Sequence, residues 1–177
     1  MAATLTDLYE SLSEVLLYPE EDFVNRVDQC CQVLEQTYAN ELAHLVPFRD
    51  AVHGAALEKW QERYIQTFDV QAVCCLDVGY SLFGEDYKRG QFMAELKTLQ
   101  NKHQVDCGVE MPDFLPNILK LLTKIDYDTA SQLCTVIVIP GLEKMQKSFS
   151  ENENPYQKPI QVILNILNKD FLVKKGA

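Results

Sequence analysis

The stretch "LEKWQERYIQTF", residues 57–68, decides how the chain is to be read. Leu57, Trp60, Tyr64 and Phe68 follow one another at intervals of three, four and four residues. That is the period of one face of an α-helix; a half-buried strand would alternate at every second residue. Glu58, Lys59, Glu62 and Arg63 fill the other face. The spacing therefore predicts an amphipathic helix whose apolar stripe ends in rings. Core packing is the default role of such a stripe. Trp and Tyr also serve where an apolar groove has a wet edge, so Tyr64 and Phe68 are candidates for a binding surface too.

The same period runs outward in both directions. Leu5, Leu8, Leu12 and Val15 form one stripe, which stops before Pro19, because a residue ahead of proline disfavours the helical conformation. Phe23, Val27, Cys30, Leu34 and Tyr38 form the next, and a break with a short helix is expected around Pro47. Downstream come Phe92, Leu96, Leu99 and His103, then Leu115, Ile118 and Leu122. Cys134, Val138, Leu142, Met145 and Phe149 continue through Pro140, where a lost hydrogen bond predicts a kink or a restart. "SENENPYQKP", residues 150–159, reads as a polar loop, and Ile160, Ile163, Leu167 and Phe171 give a last helix.

One region departs from this pattern. In residues 69–90, "DVQAVCCLDVGYSLFGEDYKRG", Leu76, Val78, Tyr80 and Leu82 alternate as a strand would. Nothing else in the chain alternates, so such a strand would lack a partner. An ordered loop closing at Gly84 is the expectation, and loops of that length are often functional. The fold class is all-α: one domain over residues 1–177, a bundle of about seven to eight helices with an ordered loop near 69–90.

Composition narrows the functions. A chain of 177 residues with 47% apolar residues can bury a core without disulfide or metal staples. The net charge of −10 disfavours nucleic acid and anionic lipid and favours a basic peptide. No apolar run reaches the length of a membrane span, and "MAATLTDLYESL", with Asp7 and Glu10, does not read as a secretory signal. A cytoplasmic protein without stable membrane insertion is expected. The six cysteines include the adjacent pairs Cys30–Cys31 and Cys74–Cys75 but no C-x-x-C. Adjacent thiols are poorly placed to bond each other or to share zinc, so buried thiols are the expectation. There is no phosphate-binding glycine loop, no G-x-S-x-G and no H-E-x-x-H. This shifts the weight from an enzyme to a binding module.

"EMPDFLPNILKLL", residues 110–122, places Asp113 at the mouth of an apolar helix. As an N-cap its carboxylate would accept backbone N–H groups, worth about 1 kcal/mol. Phe114, Leu115 and Pro116 would then fill the first turn, where proline's missing N–H costs nothing. An oxygen pointing outward could also meet an arginine of a partner.

"YIQTFDV" (64–70), "LFGEDYKRGQFMAEL" (82–96) and "EMPDFLPNILKLL" (110–122) occur in an order and at a spacing that resemble the NarJ/TorD-type redox-enzyme maturation chaperones, the nitrate reductase delta subunit family. The resemblance covers about residues 57–170 and is most specific in Arg89-Gly90-Gln91-x-Met93 taken with the Pro-Asp-x-Leu-Pro stretch. It departs at Phe114, where that family usually has His, which makes the site more apolar. The resemblance implies an all-helical cytoplasmic chaperone, not an enzyme and without a cofactor of its own. Its partner would be the N-terminal leader, or its remnant, of the catalytic subunit of a molybdopterin oxidoreductase, held for molybdenum cofactor insertion. Proteins of molybdenum cofactor biosynthesis would be further partners, and the chaperone itself a monomer or homodimer.

The family's peptide-binding positions fall on Tyr64, Phe68, Gly84, Asp113 and Phe114. A cleft lined by Tyr64, Phe68, Leu76 and Phe83 is expected to take the apolar face of a basic leader. Glu85, Asp86, Glu110 and Asp113 would offer it acidic partners. The alternatives are a helical peptide-binding adaptor unrelated to molybdoenzymes and a small nucleotide hydrolase.

Overall fold

The computed structural model describes residues 3–70, 73–149 and 153–172. The chain is all-α. Its helices are α1 (Leu5–Val15), α2 (Phe23–Thr37), α3 (Ala39–His53), α4 (Leu57–Phe68), α5 (Val78–Phe83), α6 (Tyr87–Lys102), α7 (Leu115–Leu122), α8 (Tyr127–Leu133), α9 (Ile139–Ser148) and α10 (Gln157–Leu167). A π-helical segment, Cys134–Val138, joins α8 to α9, and a second, Asn168–Leu172, extends α10. Among the described residues no helix is long and apolar enough to cross a membrane.

The stripes become the faces that pack. α1 lies on α2 and α7, α2 on α3, α3 on α10, and α10 on α9, while α5 is seated on α9. The buried apolar residues of these faces form one cluster. Thr4 starts α1 with a capping box: its hydroxyl accepts from the Asp7 N–H at 3.2 Å, and Asp7 accepts from the Thr4 N–H at 2.7 Å. At the other end of the chain Tyr9 and Tyr38 both donate to Asp170, tying the last π turn to α1 and to the α2–α3 junction. Burial, with Asp170 as acceptor, raises both hydroxyls above the ordinary tyrosine value.

Two expectations change and one narrows. α3 runs unbroken through Pro47. Pro47 and Ala43, whose carbonyl loses its helical partner there, both lie on the exposed face, where water can take the bond that proline cannot make. At Pro140 the helix restarts rather than kinks: the π turn precedes it, and the proline sits in the first turn of α9. Residues 69–90 are not one loop, because α5 and the first turn of α6 lie within them; Gln71 and Ala72 of that stretch fall outside the described residues, as do residues 150–152 of the expected polar loop.

A six-residue helix has too few turns to be stable by itself, and α5 is held by close contacts. The segment before it pairs with the entry to α7: the Val78 N–H donates to the Asp113 carbonyl at 2.8 Å and the Leu115 N–H to the Leu76 carbonyl at 2.9 Å. This is an isolated antiparallel bridge between Asp77 and Phe114, so the strand-like alternation does find a partner, one residue long. On the other side α9 presents Gly141. A Cβ there would stand 2.7 Å from Val78 Cγ1 and 3.3 Å from the Val78 carbonyl. Val78 is fully buried and β-branched, so it has little freedom to turn away. Gly141→Ala is expected to cost about 1–3 kcal/mol by overpacking this contact. Urea unfolding measures it; an unchanged midpoint would show that α5 can back away from α9.

Candidate functional site

Asp113 does not cap α7. The N-cap is Phe114, with no side-chain hydrogen bond. The Asp113 side chain turns inward, wholly shielded from solvent, to the guanidinium of Arg89 on α6. Arg89 Nε donates to Asp113 Oδ2 at 2.9 Å, and Nη2 donates to Asp113 Oδ1 at 3.3 Å and to Asp77 Oδ2 at 2.9 Å. A carboxylate removed from water needs both oxygens satisfied, and a forked guanidinium does this better than one backbone N–H. The guanidinium also lies over the Tyr80 ring, 5.3 Å from its centroid. Burial raises the Asp77 carboxyl above its usual range; the charge of Asp113 adds to this, and Arg89 opposes it.

This ion triad fixes α6 against α5 and α7. Gly79 lets it close: a Cβ at that position would stand 2.6 Å from Asp113 Oδ2. The turn from α5 into α6 passes through Gly84 at φ +63°, a conformation that glycine adopts without strain. Asp86 then caps α6, accepting from the Lys88 N–H at 2.9 Å.

Alongside the triad, and sharing Phe92 with its surroundings at Gly79, is an open groove of about 560 Å³, walled by α6 and by α8 with its π segment. Its apolar lining is Phe83, Tyr87, Phe92, Leu133, Val136 and Ile137. Phe83 and Phe92 meet edge to face at 6.2 Å. Val136 is 59% exposed and Tyr87 77%, large apolar groups left facing water. Lys88, Gln91, Glu95, Thr129 and Gln132 make up the polar part of the lining.

The sequence-predicted residues divide. Phe83 lines the groove, and Gly84, Glu85 and Asp86 form the adjoining turn. Tyr64 and Phe68 lie elsewhere, half-buried in an aromatic cluster: each packs against Tyr156, at 5.9 and 4.9 Å between ring centroids. The Tyr64 hydroxyl donates to the Leu16 carbonyl at 3.1 Å. Glu110 is exposed near Tyr64 and raises its hydroxyl's pKa, after the larger effect of burial. Leu76, Asp113 and Phe114 are buried, so they build the wall behind α5 and offer no contact area. The expected cleft of Tyr64, Phe68, Leu76 and Phe83 is thus not assembled as one surface. The Tyr64 and Phe68 rings face α10's entry, whereas Phe83 faces α6.

Tyr87, Phe92, Leu133, Val136 and Ile137 were not singled out as site residues. The signal available was an apolar residue off its stripe. In "CTVIV", residues 134–138, Cys134 and Val138 share the buried face, which leaves Val136 on the opposite one. Cys74 is buried, and its thiol is pushed up to about 12 by that burial. Cys75 is raised for the same first reason. Both are thus held as thiols near neutral pH, which suits packing and opposes thiolate chemistry.

Comparison with protein-family models and with curated proteins finds no match for this chain.

Proposed function

We propose that the protein is a binding module, a chaperone that holds the amphipathic N-terminal segment of a client in the α6–α8 groove and catalyses no reaction. The observation that carries this reading is the groove itself: two helices leave apolar side chains facing water on a chain of net charge −10. A third helix laid between α6 and α8 would cover them, the usual helix-in-groove mode, and an acidic surface favours a basic occupant. The resemblance in residues 57–170 supports the finer assignment. In it the client is the catalytic subunit of a molybdopterin oxidoreductase, bound by its leader until the molybdenum cofactor is in place.

The test is calorimetry with synthetic basic leader peptides of such subunits. Val136→Asp places a charge in the groove at an exposed position, so the fold is retained and affinity is expected to fall at least ten-fold, about 1.4 kcal/mol. Unchanged affinity with unchanged helicity would remove the groove from the reading. Equal binding of basic amphipathic helices unrelated to leaders would assign the protein to the general helical adaptors instead.

A further inference from the structure

The groove is electrically lopsided, and this gives its occupant a direction. α5 touches the π segment, so Phe83, Tyr87 and Lys88 lie at the end of the groove where Val136 and Ile137 stand. α6 runs away from that end towards Glu95, and α8 runs back along the other wall to Thr129. The two ends carry different charge.

At the α5 end the charges balance. Glu85 and Asp86 share that end with Lys88 and with Lys144, whose Nζ donates to the Leu82 carbonyl at 3.0 Å, so two carboxylates stand with two ammonium groups. At the far end stands Glu95, exposed on α6. Thr129 lines the other wall, and Asp126 accepts from it, from the backbone N–H at 2.9 Å and from the hydroxyl at 2.8 Å. This holds a carboxylate at the first turn of α8, with Asp128 beside it in sequence. Lys88, at the other end, is the one cation among the described residues lining the groove.

We infer that the occupant lies with its basic end against Glu95 and Asp126 and its apolar stretch on Phe92, Val136 and Phe83. A client whose positive charges precede its apolar segment then runs antiparallel to α6. This rests on the groove reading of the preceding section and adds the polarity of the bound segment. The helix dipole acts in the same sense, because the positive N-terminus of a bound helix meets the acidic end. Glu85 and Asp86, the acidic pair expected from sequence to meet arginines, stand at the end that also carries Lys88 and Lys144, so they attract a basic segment less than Glu95 and Asp126 do.

Two measurements test the direction with one probe, a synthetic amphipathic helix bearing two N-terminal arginines. Glu95→Lys and Glu85→Lys change the net charge equally. At low salt Glu95→Lys is expected to weaken binding about five-fold and Glu85→Lys less than about two-fold, the scale of exposed ion pairs. A benzophenone beside the arginines should crosslink to α6 beyond Gln91 or to the first turns of α8. Equal losses in the two variants, or crosslinks confined to residues 83–88 and α9, would overturn the direction while leaving groove binding in place. Absence of binding to the unaltered protein would overturn the groove reading, and the direction with it.

Discussion

Arg89→Met is expected to lower the unfolding free energy by about 3 kcal/mol at neutral pH, the low end of the cost of breaking a buried pair. The low end applies because Arg89 and Asp77 keep some water, with side chains 17% and 24% exposed, while Asp113 keeps none. Methionine fills the arginine's aliphatic volume, so the loss is electrostatic. It leaves two carboxylates facing each other without a cation. The deficit should depend on pH, and its sign follows from Asp77. That carboxyl is raised in the folded protein by burial and by Asp113, against the pull of Arg89. Without Arg89 it rises further. An acid whose folded pKa exceeds its unfolded value favours the folded state at low pH, and this contribution is lost as pH rises through the folded pKa. The variant should therefore approach the parent as pH falls towards about 4, the unfolded carboxylate value, and fall furthest behind it at pH 7. Urea titrations across that range measure this. A deficit independent of pH would make Arg89 a packing residue and nothing more.

Trp60→Ala is expected to cost about 3–5 kcal/mol, the range for truncating a large buried aromatic. Trp60 is 1% exposed and stands at the meeting of three helices and the entry to a fourth. Its ring lies 5.8 Å from Phe23 of α2, 5.3 Å from Phe48 of α3 and 5.6 Å from Tyr156 ahead of α10. Removing it opens a void that none of these rings can fill without leaving the others. The α4 stripe is thus graded. Its first ring is the centre of the core, whereas Tyr64 and Phe68 are half-buried at its margin. A drop below about 1 kcal/mol in the urea unfolding free energy would mean that the cluster collapses onto the gap and that the core's centre lies elsewhere.

That gradation marks the limit of what a stripe can tell. The spacing of Leu57, Trp60, Tyr64 and Phe68 is that of α4. It carries no information on depth, because depth depends on what other helices bring. Tyr156 buries parts of Tyr64 and Phe68, and it arrives from 92 and 88 residues further along the chain. Asp113 shows the same limit more sharply. A carboxylate ahead of an apolar helix has the local pattern of a cap, yet Arg89, 24 residues earlier, takes both of its oxygens. A cap is a local bond worth about 1 kcal/mol, and the buried ion pair outweighs it once the two helices are packed.

The helices themselves were written in the chain, because each buries one face and a buried face imposes its period on the residues that fill it. That holds for α1, α2, α4, α6, α7 and α10 and for the run from Cys134 to Phe149 through Pro140; α3 was obscured by Pro47, whose exposed position no local pattern shows. Short α5 escaped because six residues show less than two turns, and because what holds it is the shape of its neighbours: Gly141 beneath Val78, Gly79 beside Asp113, and the bridge to Phe114. The groove escaped for the complementary reason. A groove is the space between two helices, and no residue of either helix encodes the distance to the other; packing alone decides which apolar side chains find a neighbour and which are left facing water.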